Sequence, residues 1–201
     1  MTSRSISEPA KAHFSNPIKL YFAATCPAFL IATFAACSLG VIGATYSGTS
    51  LNLATAILTI LLALLVHAGV NVLNDYFDAL NGTDAINTER LYPFTGGSRL
   101  IQNGVLSTMQ TAYFGYSLLI TGMVGGLWLA WLVGASLLAI GAVGVLIGWA
   151  YSAAPLRLSG RGLGELCVLV GFLGVVIGAD FVQRHTFSFQ PVMVGLPYAL
   201  L

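Results

Sequence analysis

Charge is scarce in this chain: of 201 residues only 8 are Lys or Arg and 7 are Asp or Glu, a charged share of 7% where soluble domains carry about 25%. That shortage excludes an ordinary solvated surface. A net charge of +1 also supplies no basic field for nucleic acid. Cysteine is equally sparse. Cys26, Cys37 and Cys167 lie in separate apolar runs without CxxC spacing, which argues against a disulfide framework or a zinc site and for small buried apolar side chains. The first sixteen residues contain Pro9 and lack the apolar core and small-residue cleavage site of a signal peptide, so residues 1–16 read as a disordered lead. What fills the chain instead is hydrophobic, at 57% of residues and a mean hydropathy of +0.85. The expected fold class is all-α, a multi-pass transmembrane helical bundle in a lipid bilayer.

The apolar runs give the order of spans. The first, Ile18 to about Ala44, contains Pro27 and should kink there unless the freed carbonyl finds a partner. The second runs from Leu53 to about Leu80, followed by a hydrophilic loop, Asn81 to Thr108, longer than a structural connection needs. Two spans follow across a very short turn, about Met109 to Leu132 and Ala135 to Tyr151, then a polar loop, Ser152 to Leu163, and a span from about Gly164 to Val182. From Gln190 only about 18 Å of helix remains, against the ~30 Å of a hydrocarbon layer. The expectation is therefore five full spans plus the start of a sixth, in one domain from residue 17 to 201 that is truncated at its C-terminus. Arg4, Lys11, Lys19, Arg90, Arg99, Arg157 and Arg161 all fall on one side of such a bundle, and Arg184 alone on the other. That side is cytoplasmic by the positive-inside rule, which puts the N-terminus and both long loops there, in a cell membrane. Gly122 with Gly126, Gly144 with Gly148 and Gly174 with Gly178 are spaced for close helix packing.

The second span ends in an unusual cluster. His67, Asn71, Asn74, Asp75 and Asp78 recur every three or four residues and fall within an arc of about 100° on one helix face. Counted from Leu53 at ~1.5 Å per residue, Asp75 lies roughly 33 Å along the axis, at a membrane mouth. Carboxylates on adjacent turns repel, and each costs on the order of 3 kcal/mol at a membrane centre, less toward the interface. Oxygen ligands without nearby Cys suit a hard cation such as Mg²⁺, which commonly bridges a few carboxylates to a substrate phosphate. The alternative is a solvated helix end with Asn and Gly as its C-cap. Arg99, Arg157 and their neighbours would take phosphate oxygens with a planar fork, or else serve only topology and lipid headgroups. Arg99 follows a Gly-Gly-Ser turn able to present backbone amides to an anion. His67 lies too deep to share an ion with Asp78 and reads as a core histidine bonded to a neighbouring helix. Asp180, toward the far end of the fifth span, has no account from sequence.

The pattern Asn74-x-x-x-Asp78-x-x-x-Gly82-x-Asp84 resembles the first aspartate-rich motif of the UbiA superfamily of intramembrane aromatic prenyltransferases. It is most similar to the branch that prenylates dihydroxynaphthoate for menaquinone synthesis. Thr95-Gly96-Gly97-Ser98 through Gly104-Val105-Leu106-Ser107 agrees, as does Tyr151-Ser152-Ala153-Ala154-Pro155-Leu156-Arg157-Leu158 with Gly162-Leu163-Gly164-Glu165. The resemblance covers nearly the whole chain from Pro17.

It implies a polyprenyltransferase in which Asn74, Asp78 and Asp84 bind Mg²⁺ and through it a polyprenyl diphosphate, with Asp75 as a neighbouring helper and Arg157 on the diphosphate. Asn71, Arg99 and Tyr151 are the implied substrate-binding residues, and the second substrate is a small aromatic acceptor. Family chemistry is electrophilic: diphosphate departs, an allylic cation forms and an electron-rich ring carbon attacks. The sequence departs from the family at Gly82, where many branches have Asp, and at Asp180, where an uncharged or aromatic residue is expected. The family fold has nine spans and a second aspartate motif after the sixth; Leu201 precedes that point. Other acceptors (hydroxybenzoate, a chlorophyll or haem precursor), a cation-coupled transporter, and an inactive truncated homologue are the alternatives.

Overall fold

The computed structural model describes residues 8–89 and 96–201. Arg4, Arg90 and Thr95, used above for orientation and for the second motif, lie outside them. The helices in chain order are α1 (Pro17–Ala24), α2 (Pro27–Tyr46), α3 (Leu53–Asn81), α4 (Thr83–Ile86), α5 (Thr108–Val133), α6 (Leu137–Ser152), α7 (Gly164–Arg184) and α8 (Gln190–Ala199). No strand occurs among the described residues. The all-α bundle expected from the hydrophobic runs is what forms.

One expectation changes. The first apolar run does not kink and continue; it breaks. Pro27 lacks an N–H and pushes the preceding residue out of the right-handed helical region, and Cys26 accordingly sits at φ 52° between α1 and α2. The carbonyls at the break find partners: Cys26 N–H donates to the Ala23 carbonyl at 3.1 Å, and Asn71 Nδ2 donates to the Thr25 carbonyl at 3.0 Å. Among the described residues 4 helices, α2, α3, α5 and α7, are long and apolar enough to cross a membrane. α6 has 16 residues, about 24 Å at 1.5 Å per residue, and is shorter than the ~30 Å layer. Large exposed apolar side chains such as Phe34, Leu61, Trp131 and Leu146 cover the outside, a surface that suits lipid and not water.

Small residues let the helices close on one another. α3 packs along α5, and α2 along α7. A Cβ on Gly69 would come within 2.9 Å of the Leu119 nitrogen, and one on Gly40 within 2.3 Å of the Val176 carbonyl oxygen. The spaced glycines behave unequally: Gly122 meets Val66 of α3 and Gly148 meets Val70, whereas Gly126 and Gly144 face open space. Only one member of each of those two pairs is a packing glycine.

The described part of the N-terminal segment makes local hydrogen bonds. Lys11–His13 form a 3-10 turn, Ala10 N–H donates to His13 Nδ1 at 3.2 Å, and Asn16 caps α1 by accepting the Ile18 N–H at 2.8 Å. At the opposite end of the bundle, Asp180 is buried beside Arg184, whose Nε donates to its two carboxylate oxygens at 2.8 and 3.0 Å. Arg184 donates further to the Gly43 carbonyl at 3.2 Å and to Gln190 Oε1 at 2.5 Å, so one ion pair ties α7 to α2 and α8. This supplies the account of Asp180 that sequence lacked.

Candidate functional site

The acidic helix end is built by α3 stopping where glycine allows. Gly82, at φ 74°, is the C-cap of α3 and turns the chain straight into the four-residue α4, which carries Asp84. The cap reading is therefore correct at Gly82, and the acids gather around it all the same. From the other side the turn 96–107 folds back beneath the mouth. Leu100 and Leu106 are buried with Val72 and Ala24, and the turn closes on itself through Asn103 N–H to the Arg99 carbonyl and Val105 N–H to the Leu100 carbonyl.

The polar face of α3 divides its attention among several neighbours. His67 Nδ1 lies 2.6 Å from Thr33 Oγ1 of α2 and its ring stacks edge-on against Phe172, the environment of the core histidine expected. Asn71 is engaged by the Thr25 carbonyl at the break between α1 and α2, not turned toward the mouth. Asn74 Oδ1 accepts the Ser152 hydroxyl, and Ser152 is also within hydrogen-bonding reach of the Asp78 carboxylate. Asn81 Nδ2 donates to the Ser152 carbonyl at 2.9 Å, so the end of α6 is fastened to the end of α3.

Asp75 is buried, and both its oxygens accept the Ser98 N–H, at 3.1 and 3.2 Å. The Gly-Gly-Ser turn thus does present an amide to an anion, but the anion is this protein's own carboxylate. Gly97, at φ 71°, lies against two acids at once: a Cβ there would stand 2.5 Å from Asp75 Oδ1 and 3.2 Å from Asp84 Oδ2. No side chain fits that position, which brings the two carboxylates onto one glycine.

Asp84 is buried as well, and Gln102 Nε2 donates to its Oδ2 at 2.9 Å. Arg99 does not open toward a ligand. It is 7% exposed and its Nη1 donates to the Asp84 carbonyl at 2.6 Å. Arg157 donates from Nη2 to Thr83 Oγ1 at 3.1 Å, within electrostatic reach of Asp78, which in turn senses Asp84. Both arginines hold positive φ, 62° and 44° respectively, a conformation uncommon outside glycine and enriched at functional sites. Tyr151 is half-buried at the end of α6; its hydroxyl and ring edge lie 3.5 Å from where a Gly164 Cβ would stand, and its carbonyl accepts the Ser159 hydroxyl at 2.7 Å.

Asn74, Asp75, Asp78, Asp84, Arg99 and Arg157 are therefore brought to one mouth, while Asn71 is diverted to a structural contact. Gln102, Ser152 and Thr83 contact these residues at the same mouth and were not foreseen. Ser152 and Gln102 both fall inside or beside the two later motif stretches, which was the available signal. Among the described residues no group of three His, Cys, Asp or Glu side chains could by itself hold a metal ion.

Similarity to known proteins follows the same residues. The model of the UbiA prenyltransferase family matches residues 29–201. The chain is 35% identical over 131 residues to the 1,4-dihydroxy-2-naphthoate octaprenyltransferase of Mycobacterium tuberculosis, covering 64% of this chain and 42% of that protein. With the 2-carboxy-1,4-naphthoquinone phytyltransferase of Synechocystis the identity is 28% over 148 residues, 71% of this chain and 45% of the relative. With the 1,4-dihydroxy-2-naphthoate octaprenyltransferase of Bacillus subtilis it is 24% over 187 residues, 88% of this chain and 55% of the relative. The chain spans about half the length of the curated relatives it matches. No solved structure matches. With a match that begins at Phe29 and runs through the acidic end of α3, the Gly97 turn and Arg157 to the last residue, this chain belongs to the UbiA prenyltransferase family.

Proposed function

We propose that this chain forms the diphosphate-binding part of a prenyltransferase site. In this reading a polyprenyl group passes from polyprenyl diphosphate to an aromatic acceptor of the 1,4-dihydroxy-2-naphthoate type, in menaquinone biosynthesis. The observation that carries it is the gathering of Asp78, Asp84 and Arg157 at one mouth of an apolar bundle, in a chain whose relatives bear naphthoate prenyltransferase names.

Mg²⁺ fits the donor set. Asn74, Asp78 and Asp84 offer oxygen only, and Mg²⁺ is usually held by one or two carboxylates plus substrate phosphates instead of a closed protein cage. A cation completed by diphosphate oxygens agrees with a mouth where, among the described residues, no three acids, His or Cys enclose an ion. When bound, Mg²⁺ would neutralise charge developing on the departing diphosphate. The chain's own residues do the rest. Ser152 holds the Asn74 carboxamide by donating to Oδ1, which fixes the direction of that oxygen. Arg157 engages Thr83 through one amine and has further N–H donors for phosphate oxygens, in the fork geometry that suits them. The walls of α2, α3, α5 and α7 are apolar, and a water-poor chamber protects an allylic cation from hydrolysis while admitting an isoprenoid tail. Lys11, Lys19, Arg99, Arg157 and Arg161 favour the cytoplasmic side of the cell membrane for this mouth.

The test is prenyl transfer by membranes carrying the full-length protein, with Mg²⁺, a polyprenyl diphosphate and a panel of acceptors, products being read by mass. Prenylated dihydroxynaphthoate that disappears with Asp78→Ala supports the reading. Transfer to no acceptor, or turnover untouched by Asp78→Ala, overturns it.

A further inference from the structure

The turn that carries Arg99 is held from outside by the N-terminal segment. Asn103 Nδ2 donates to the Pro9 carbonyl at 2.9 Å and to Glu8 Oε2 at 3.2 Å. Glu8 Oε2 also lies 3.9 Å from Arg99 Nε, so the buried guanidinium stands between the Glu8 carboxylate and the Asp84 carbonyl. From the same turn Gln102 reaches the Asp84 side chain. The N-terminal segment, the turn 99–103 and Asp84 are thus one connected chain of polar contacts.

Asp84 needs such support. It sits in a helix of only 4 residues that follows a left-handed glycine and has no side-chain cap. So short a helix has little stability of its own, because nucleation is costly and too few bonds follow it. The direction of its carboxylate must come from outside the helix, and the structure supplies this twice: Arg99 holds the main chain and Gln102 the side chain. Burial of the Arg99 charge is in turn offset by Glu8.

We propose that residues Glu8 and Pro9 form a strap, and that Glu8, Arg99, Gln102 and Asn103 are positioning residues that aim the Asp84 carboxylate at the cation and diphosphate. The proposal rests on the function proposed above and extends it to residues that touch neither substrate.

The experiment uses the full-length protein in detergent, as wild type and as Asn103→Ala, Glu8→Gln and Gln102→Ala. Two quantities are read: the rate of tryptic cleavage after Arg99, and Mn²⁺ affinity in the presence of inorganic pyrophosphate from the free-Mn²⁺ electron paramagnetic resonance signal. Arg99 should resist trypsin in the wild type and be cut several-fold faster in Asn103→Ala, with Glu8→Gln intermediate. Mn²⁺ affinity should fall on the order of tenfold in Asn103→Ala and Gln102→Ala, the usual loss when a partner of a metal ligand is removed. Cleavage of Asn103→Ala at the wild-type rate overturns the strap. Faster cleavage with unchanged Mn²⁺ affinity reduces the strap to a structural tie and overturns the positioning role. Absence of Mn²⁺ binding in the wild type overturns the cation reading and the positioning role together, while the cleavage rates still decide the strap.

Discussion

The two ends of this bundle handle buried acid in opposite ways. At the far end, Asp180 is matched by one arginine four residues on, through two hydrogen bonds to its carboxylate, and Arg184 completes its set on Gly43 and Gln190. At the near end, Asp75, Asp78 and Asp84 crowd around Gly97 and Ser152, while Arg99 donates to the Asp84 main-chain carbonyl, Arg157 to the Thr83 hydroxyl and Arg161 to the Pro155 carbonyl. The far end is a neutralised lock between helices. The near end collects acids and leaves Arg157 with further N–H donors, an arrangement that makes sense when a cation and an anionic group arrive together. Stability and function should therefore separate by end.

The largest test of that separation is Asp78→Ala in the full-length protein. Prenyl transfer should fall on the order of a thousandfold, about 4 kcal/mol of barrier, while thermal stability stays level or rises as crowding among acids is relieved. A fall in melting temperature instead would make the near end as structural as the far end. Asp180→Ala is the mirror experiment. Removing one partner of a buried pair costs about 3 kcal/mol, so unfolding in detergent should come markedly earlier, and the double change Asp180→Leu with Arg184→Met should recover much of that loss. A stable Asp180→Ala protein would remove the lock from the comparison.

Gly97→Ala sharpens the contrast within the near end. The left-handed φ and the approach to Asp75 together should cost about 2 kcal/mol, and because the same Cβ also crowds Asp84, Mn²⁺ affinity in the presence of pyrophosphate should weaken alongside stability. Weaker binding of that probe with normal stability would mean that the turn yields and only the acids move.

Much of this was legible in the chain. Long apolar runs specify spans whatever packs beside them, and acids at a helical period on an apolar helix announce a site because their cost must be offset. What the sequence could not display is the third partner of each polar group. Helical periodicity says which residues share a face of α3 but not what each meets, so Asn71, Asn74, Asp75 and Asp78 look alike until α1, α6 and the turn 96–107 are in place. Gln102 and Ser152 lie within the motif stretches, but their contacts stayed hidden for the same reason, since these reach across 18 and 78 positions of chain. Asp180 looked anomalous only because its partner, Arg184, had been assigned to topology. The break at Cys26 was half legible: proline predicted a disturbance, but not that Asn71 of another helix would take up the Thr25 carbonyl freed there.

Asn71 gives the smallest effect and the finest cut between the two kinds of residue. It stands one helical turn before Asn74 and Asp75, and by spacing alone it belongs with the substrate-binding set. The structure gives its amide to the Thr25 carbonyl, where the chain breaks ahead of Pro27. Removing that donor leaves one carbonyl short of a partner at the junction, so Asn71→Ala should lower stability by about 1 kcal/mol. The KM for polyprenyl diphosphate and for the acceptor should not change, because nothing at the mouth has moved. Initial rates at varied substrate, set beside thermal unfolding of the same preparations, separate the outcomes. A raised KM at unchanged stability would return Asn71 to the site and extend the functional face of α3 a full turn deeper into the membrane.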